Sequence, residues 1–62
     1  MKISFEHTDL ENGEVVVEHP AVPRINAAVC LTDEEGKILV LGQVVTVVHY
    51  PEQDPPINVI LK

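Results

Sequence analysis

A chain of 62 residues with 10 Asp or Glu against 4 Lys or Arg, net charge −6, makes one small acidic domain. It lacks the clustered Lys and Arg that direct binding to a phosphate backbone requires, and its charge disfavours anionic membranes. Cys30 is the only cysteine, so no disulfide can staple the chain internally.

A domain of this size buries only about 60% of the surface its unfolded chain exposes, so its stability alone is marginal. Oligomerisation, docking on a partner or a metal would reinforce it. No apolar segment of signal-peptide length follows Lys2, and no stretch approaches the ~20 apolar residues of a membrane helix. The expected setting is therefore soluble and reducing: a cytoplasm, or a virion assembled in a host cytoplasm. β-branched residues, Val above all, dominate the ordered-looking segments and favour strands. The predicted fold class is all-β: a small antiparallel β-sandwich or partly open barrel of about five or six strands, built from two hairpins plus a C-terminal strand. The whole chain, 1–62, divides into a hairpin (2–19), a proline connector (20–24), a long hairpin (25–50), an acidic proline loop (51–56) and a terminal strand (57–61).

In the first hairpin, Asn12-Gly13 has the composition of a two-residue type I′ turn. That loop sets Leu10 opposite Val15, Thr8 opposite Val17, His7 opposite Glu18 and Glu6 opposite His19. Leu10, Val15 and Val17 then share one face, with Phe5 and Val16 on the other. Pro20 and Pro23 lack amide donors and cannot sit in a central strand, so they mark an extended connector.

In the second hairpin, residues 33–36 (Asp-Glu-Glu-Gly) form a four-residue loop with Gly36 at the position that favours left-handed backbone. Thr32 then opposes Lys37, Leu31 opposes Ile38 and Cys30 opposes Leu39. One face carries Val29, Leu31, Ile38 and Val40; the other carries Ala28, Cys30, Leu39 and Leu41. Residues 38–48 are polar only at Gln43 and Thr46, so both faces of this strand are apolar, where a half-exposed strand would alternate. Gly42 marks a bulge or bend, beyond which residues 43–50 turn to pair elsewhere. Residues 57–61 form a last strand whose terminal position suits a sheet edge or exchange with a neighbouring subunit.

Residues 26–42, an apolar strand, an acidic turn ending in glycine and a second apolar strand, resemble the opening hairpin of Nudix hydrolases. The metal-binding helix of that family, with its spaced glycines and glutamates, has no counterpart in this chain, so the resemblance carries over no functional residue.

Candidates for chemistry are sparse. His7, His19 and His49, with Glu6 and Glu18, do not converge on one ion in the expected register, so no metal site is predicted. Ser4 is the only serine and the three glycines are isolated; neither a nucleophile constellation nor a phosphate-cradling loop is present. Cys30 between Val29 and Leu31 reads as a core residue. The expectation is a non-enzymatic structural or assembly module without cofactors. It would act through protein–protein contacts, as a homo-oligomer or docked on a larger assembly, in the manner of a small virion decoration or tail component. The two-faced segments place its interface at Leu39, Leu41, Val45, Val47, Ile57, Val59 and Leu61. The alternative is a small acidic inhibitor or regulator that blocks a basic site on a partner, as a nucleic-acid mimic does, with Asp33, Glu34 and Glu35 as its contact patch.

Overall fold

A computed structural model describes all 62 residues. The chain is all-β, with β1 (Lys2–Glu6), β2 (Glu14–Glu18), β3 (Ala28–Thr32), β4 (Ile38–His49) and β5 (Ile57–Leu61). They form one sheet in the order β2-β1-β5-β4-β3, curved into a half-barrel. β1 runs antiparallel to β2 and parallel to β5; β4 runs antiparallel to both β5 and β3. The sheet is therefore mixed, not the antiparallel sandwich expected. The parallel pair exists because the last strand enters beside the first. β5 is the central strand rather than an edge, and the free edges are β2 and β3.

The concave face holds the core: Ile3, Phe5, Leu10, Val29, Leu31, Val40, Val44, Val59 and Leu61 are buried, with Val15, Val17, Val22, Ala27, Val47 and Ile57 packed against them. Strand alternation accounts for most of this, since inner residues of a regular strand lie two apart, as Ile3 and Phe5, Val29 and Leu31, and Val59 and Leu61 do.

The first hairpin departs from the Asn-Gly expectation. Its loop is residues 7–13, closed by the N–H of His7 to the C=O of Gly13 (3.0 Å), with tighter turns inside it from Leu10 N–H to His7 C=O (3.1 Å) and from Gly13 N–H to Leu10 C=O (3.0 Å). Only Gly13 takes positive φ (78°), whereas a type I′ turn requires it at Asn12 as well. The ladder sets Ile3 opposite Val17 and Phe5 opposite Val15. Relative to the Asn-Gly register, β1 has slid five residues along β2, and an odd slide exchanges faces. Phe5 thereby joins Val15 and Val17 inside, and Leu10 is buried by the loop. The expected His7–Glu18 and Glu6–His19 pairs do not form; Glu6 faces Glu14 instead.

The second hairpin keeps Gly36 in left-handed backbone as predicted, but its loop is residues 33–37, one longer than expected, and Thr32 faces Ile38 rather than Lys37. Asp33 N–H donates to Lys37 C=O (2.9 Å), Gly36 N–H donates to Asp33 C=O (3.0 Å) and Gly36 has φ 84°. The ladder then shifts: Thr32 pairs with Ile38, but Leu31 pairs with Val40, leaving Leu39 as the extra residue of a bulge. Ile38, expected on one face with Val29 and Leu31, is consequently parted from them and exposed, and Cys30 faces outward rather than into the core.

β4 is one continuous strand that serves two neighbours. Its first half pairs with β3 and its second with β5, with Gln43 at the handover bonding to Lys62 in both directions (3.1 and 2.9 Å). Gly42 is not itself the bulge. The second shift lies between Val44 and Thr46, where Val45 is extra. Val40 and Val44 face inward before it, and Val47, opposite Val59, packs inward after it. A bulge changes which alternate residues face the core, and a segment apolar at both parities makes that change without burying a polar side chain.

Candidate protein interface

The convex face of the sheet is covered at one end only. Residues 50–56 form a loop closed by the N–H of Tyr50 to the C=O of Pro56 (2.6 Å) and held by Gln53 N–H to Tyr50 C=O (2.9 Å). It overhangs a cleft of about 430 Å³ on the outer side of β1, β2 and β5, whose walls include Ser4, Glu6, Glu14, Tyr50, Asp54 and Asn58. Three carboxylates from three separate elements meet there, next to Asn58 Oδ1, a buried oxygen without a hydrogen-bond partner. No sequence signal links Glu6, Glu14 and Asp54, because only the sheet register and the loop bring them together.

The β3–β4 end of the convex face is bare. Leu41 is 68% exposed and Val45 48%, with Cys30 directly beside Leu41 in the ladder. Ala28, Cys30, Thr32, Leu41, Gln43 and Val45 face outward here without a charge among them, and the exposed Lys62, paired with Gln43, borders them. Solvent-facing apolar side chains are ordinary singly, but a run without charge marks a contact surface.

The residues expected to form one interface separate into three groups. Leu41 and Val45 lie on this bare face. Leu39, displaced by its bulge, lines a smaller cleft with Leu10, Glu11 and Val15. Val47 and Ile57 are half-buried against the core, and Val59 and Leu61 are core residues of the central strand, at 0% and 5% exposure. The last two lie inside the fold rather than on an interface, because they alternate onto the concave, core-facing side of β5.

The acidic patch also divides. Glu34 and Glu35 are exposed at the hairpin tip, while Asp33 Oδ1 accepts the N–H groups of Glu35 and Lys37, each at 2.9 Å. Asp33 is thus part of the turn's own construction.

His7 and His19 serve local structure. Asp9 N–H donates to His7 Nδ1 (3.0 Å), and the His19 ring stands edge-on to Phe5 with centroids 5.8 Å apart. No three His, Cys, Asp or Glu side chains are placed to share a metal ion. No helix is long and apolar enough to cross a membrane. The fold and surface define a small all-β half-barrel with an exposed sheet end where Leu41 and Val45 face solvent. No family model, curated protein or solved structure matches the chain.

Proposed function

We propose that this chain is a non-enzymatic assembly module that works through protein–protein contacts on the β3–β4 end of its convex face. A virion accessory component, of the decoration or tail type, is the role that suits this size and surface. The observation carrying the reading is the bare group Cys30, Leu41 and Val45, apolar and uncharged on a chain of net charge −6. A small domain with marginal burial gains stability by covering such a surface. Sedimentation of the intact chain across micromolar concentrations tests it, together with Leu41→Glu. Assembly that Leu41→Glu weakens supports the reading; a monomer at every concentration, with no partner retained from its native source, overturns it.

A second reading draws on the acidic cleft. Glu6, Glu14 and Asp54 beside Tyr50 offer a seat for a basic side chain of a partner, as an acidic inhibitor or regulator would. It is a better seat than the tip Asp33-Glu34-Glu35, whose first carboxylate is already engaged. Such binding would weaken steeply with salt; salt-insensitive binding, or binding unaffected by Glu14→Gln with Asp54→Asn, removes this reading.

A further inference from the structure

We propose that the free edge of β3 pairs, antiparallel, with the β3 edge of a second copy of this chain, about a two-fold axis at Cys30. This rests on the assembly reading and names its partner and its geometry.

The two free edges of the sheet differ. β2 reads Glu-Val-Val-Val-Glu, with a carboxylate at each end; β3 reads Ala-Val-Cys-Leu-Thr, with neither charge nor proline. Natural sheets guard their edges with charges, prolines and bulges against pairing with another chain. β2 carries such a guard and β3 does not. In an acidic chain, β3 is the edge whose own strand carries no carboxylate, and the one carboxylate across the cleft from it is Glu18 of β2.

The hydrogen-bond parity of β3 suits a copy of itself. Val44 N–H donates to Ala27 C=O (2.9 Å), in the same register that pairs Val29 with Gly42 and Leu31 with Val40. Antiparallel ladders alternate, so Val29 and Leu31 direct their backbone groups, and Ala27 its C=O, to β4. Ala28, Cys30 and Thr32 direct theirs away from it, to the open edge. A cleft of about 210 Å³, walled by Val17, Glu18 and His19 on one side and residues 30–32 on the other, separates this edge from β2. An antiparallel copy centred on Cys30 sets Cys30 opposite Cys30 of the second copy and Ala28 opposite its Thr32. Each outward N–H then meets an outward C=O. The outer side chains line up across the axis as Leu41, Cys30, Cys30 and Leu41, without a charge among them.

The same register is complementary in charge at its ends. It places the tip of one hairpin beside the turn that precedes β3 in the other copy. In that turn Ala27 N–H donates to Arg24 C=O (3.0 Å) and Asn26 holds φ 73°, which keeps Arg24 at the start of the strand. Arg24 is exposed and joins neither ion pair of the structure, and Glu34 and Glu35 are equally free. Symmetry brings each Arg24 to the other copy's Glu34 and Glu35, so the contact is made twice.

The test uses the full chain. Sedimentation across micromolar concentrations is expected to show a species of twice the chain mass, and a short bismaleimide is expected to join two chains through their Cys30 thiols. Cys30→Lys, and separately Thr32→Lys, should yield a folded monomer by circular dichroism, while Val16→Lys on the β2 edge should leave the dimer intact. Arg24→Glu should weaken the dimer by about fivefold or more, and adding Glu34→Arg with Glu35→Arg should restore it. A wild-type monomer overturns this proposal, and the assembly reading falls with it only when no partner is retained from the native source either. Assembly that survives both β3 lysines, or that Val16→Lys abolishes, overturns the β3 edge alone and leaves the assembly reading in place.

Discussion

Gly42 lies against Leu61 so closely that a Cβ added to it would stand 3.0 Å from the Leu61 Cβ. The same atom would come within 3.3 Å of the His7 ring and of the Lys62 carbonyl. Gly42 sits in the middle of β4, between the inward residues Val40 and Val44, where β5 ends across it. The missing side chain lets the central strand close down on β4 at this point.

Gly42→Ala should therefore destabilise the fold, although alanine is ordinarily the better strand residue. Leu61 is a core residue and Lys62 O belongs to the backbone, so neither can yield freely. Overpacking of this kind costs about 1–3 kcal/mol. For a domain of this size each kcal/mol lowers Tm by about 4–8 °C, and thermal unfolding followed by circular dichroism reads the change. A Tm unchanged or raised would show that β5 does not pack here as described.

Gly42 left open whether residues 38–48 are one strand or two, and they are one. The strand segments and the acidic turn ending at Gly36 were legible in the sequence because local chemistry sets them: β-branched runs, a glycine at the left-handed place, and prolines at 51, 55 and 56. The pairing was not. Asn12-Gly13 favours a two-residue loop locally, yet the longer loop wins because it buries Phe5 with Val15 and Val17 and adds Leu10 to the core. The bulges at Leu39 and Val45 were hidden for the opposite reason. Where both parities are apolar, periodicity cannot say which residues face inward. That ambiguity placed Val59 and Leu61 among the interface residues and Cys30 in the core, each the reverse of its position in the fold. The outward Leu41 and Val45 were legible as surplus hydrophobic residues; the acidic cleft was not, since it joins β1, β2 and a distant loop.

Val59→Ala and Leu41→Ala should separate core from surface. Val59 has no exposed area and lies on the central strand, so truncation removes buried methyl groups and leaves a cavity, at a cost of about 1–3 kcal/mol. Leu41 is 68% exposed, and its truncation should shift monomer stability by no more than about 0.5 kcal/mol. Urea unfolding at a concentration low enough to hold the chain monomeric measures both. Equal losses would mean that Leu41 is covered within the monomer.

Glu6 and Glu14 stand directly opposite in the β1–β2 ladder, next to the bonded pair His7 and Gly13. By alternation theirs is a non-hydrogen-bonded site, where side chains approach most closely. Like charges so placed are destabilising, and an opposite-charge pair is worth about 0.2–1 kcal/mol. Glu14→Lys should accordingly raise the urea midpoint at low salt, and the gain should shrink in molar salt as the charges are screened. A loss of stability at low salt would contradict this register.

Asp33 has a structural role that its neighbours lack. Its Oδ1 accepts the Glu35 and Lys37 N–H groups, and these two bonds shape the turn that joins β3 to β4. Asp33→Ala removes both acceptors at once, and the loss should be about 1–2 kcal/mol for bonds to a charged oxygen at an exposed site. Asp33→Asn keeps an oxygen in place and should recover part of it. Glu34→Ala, exposed and without a hydrogen-bond role in the turn, should change stability by less than about 0.5 kcal/mol. The order Glu34→Ala, Asp33→Asn, Asp33→Ala in increasing loss, read by urea unfolding, is the expected outcome. If Asp33→Ala proves as mild as Glu34→Ala, the turn is held by Gly36 and the backbone alone. All three carboxylates of the tip would then be free for a basic partner.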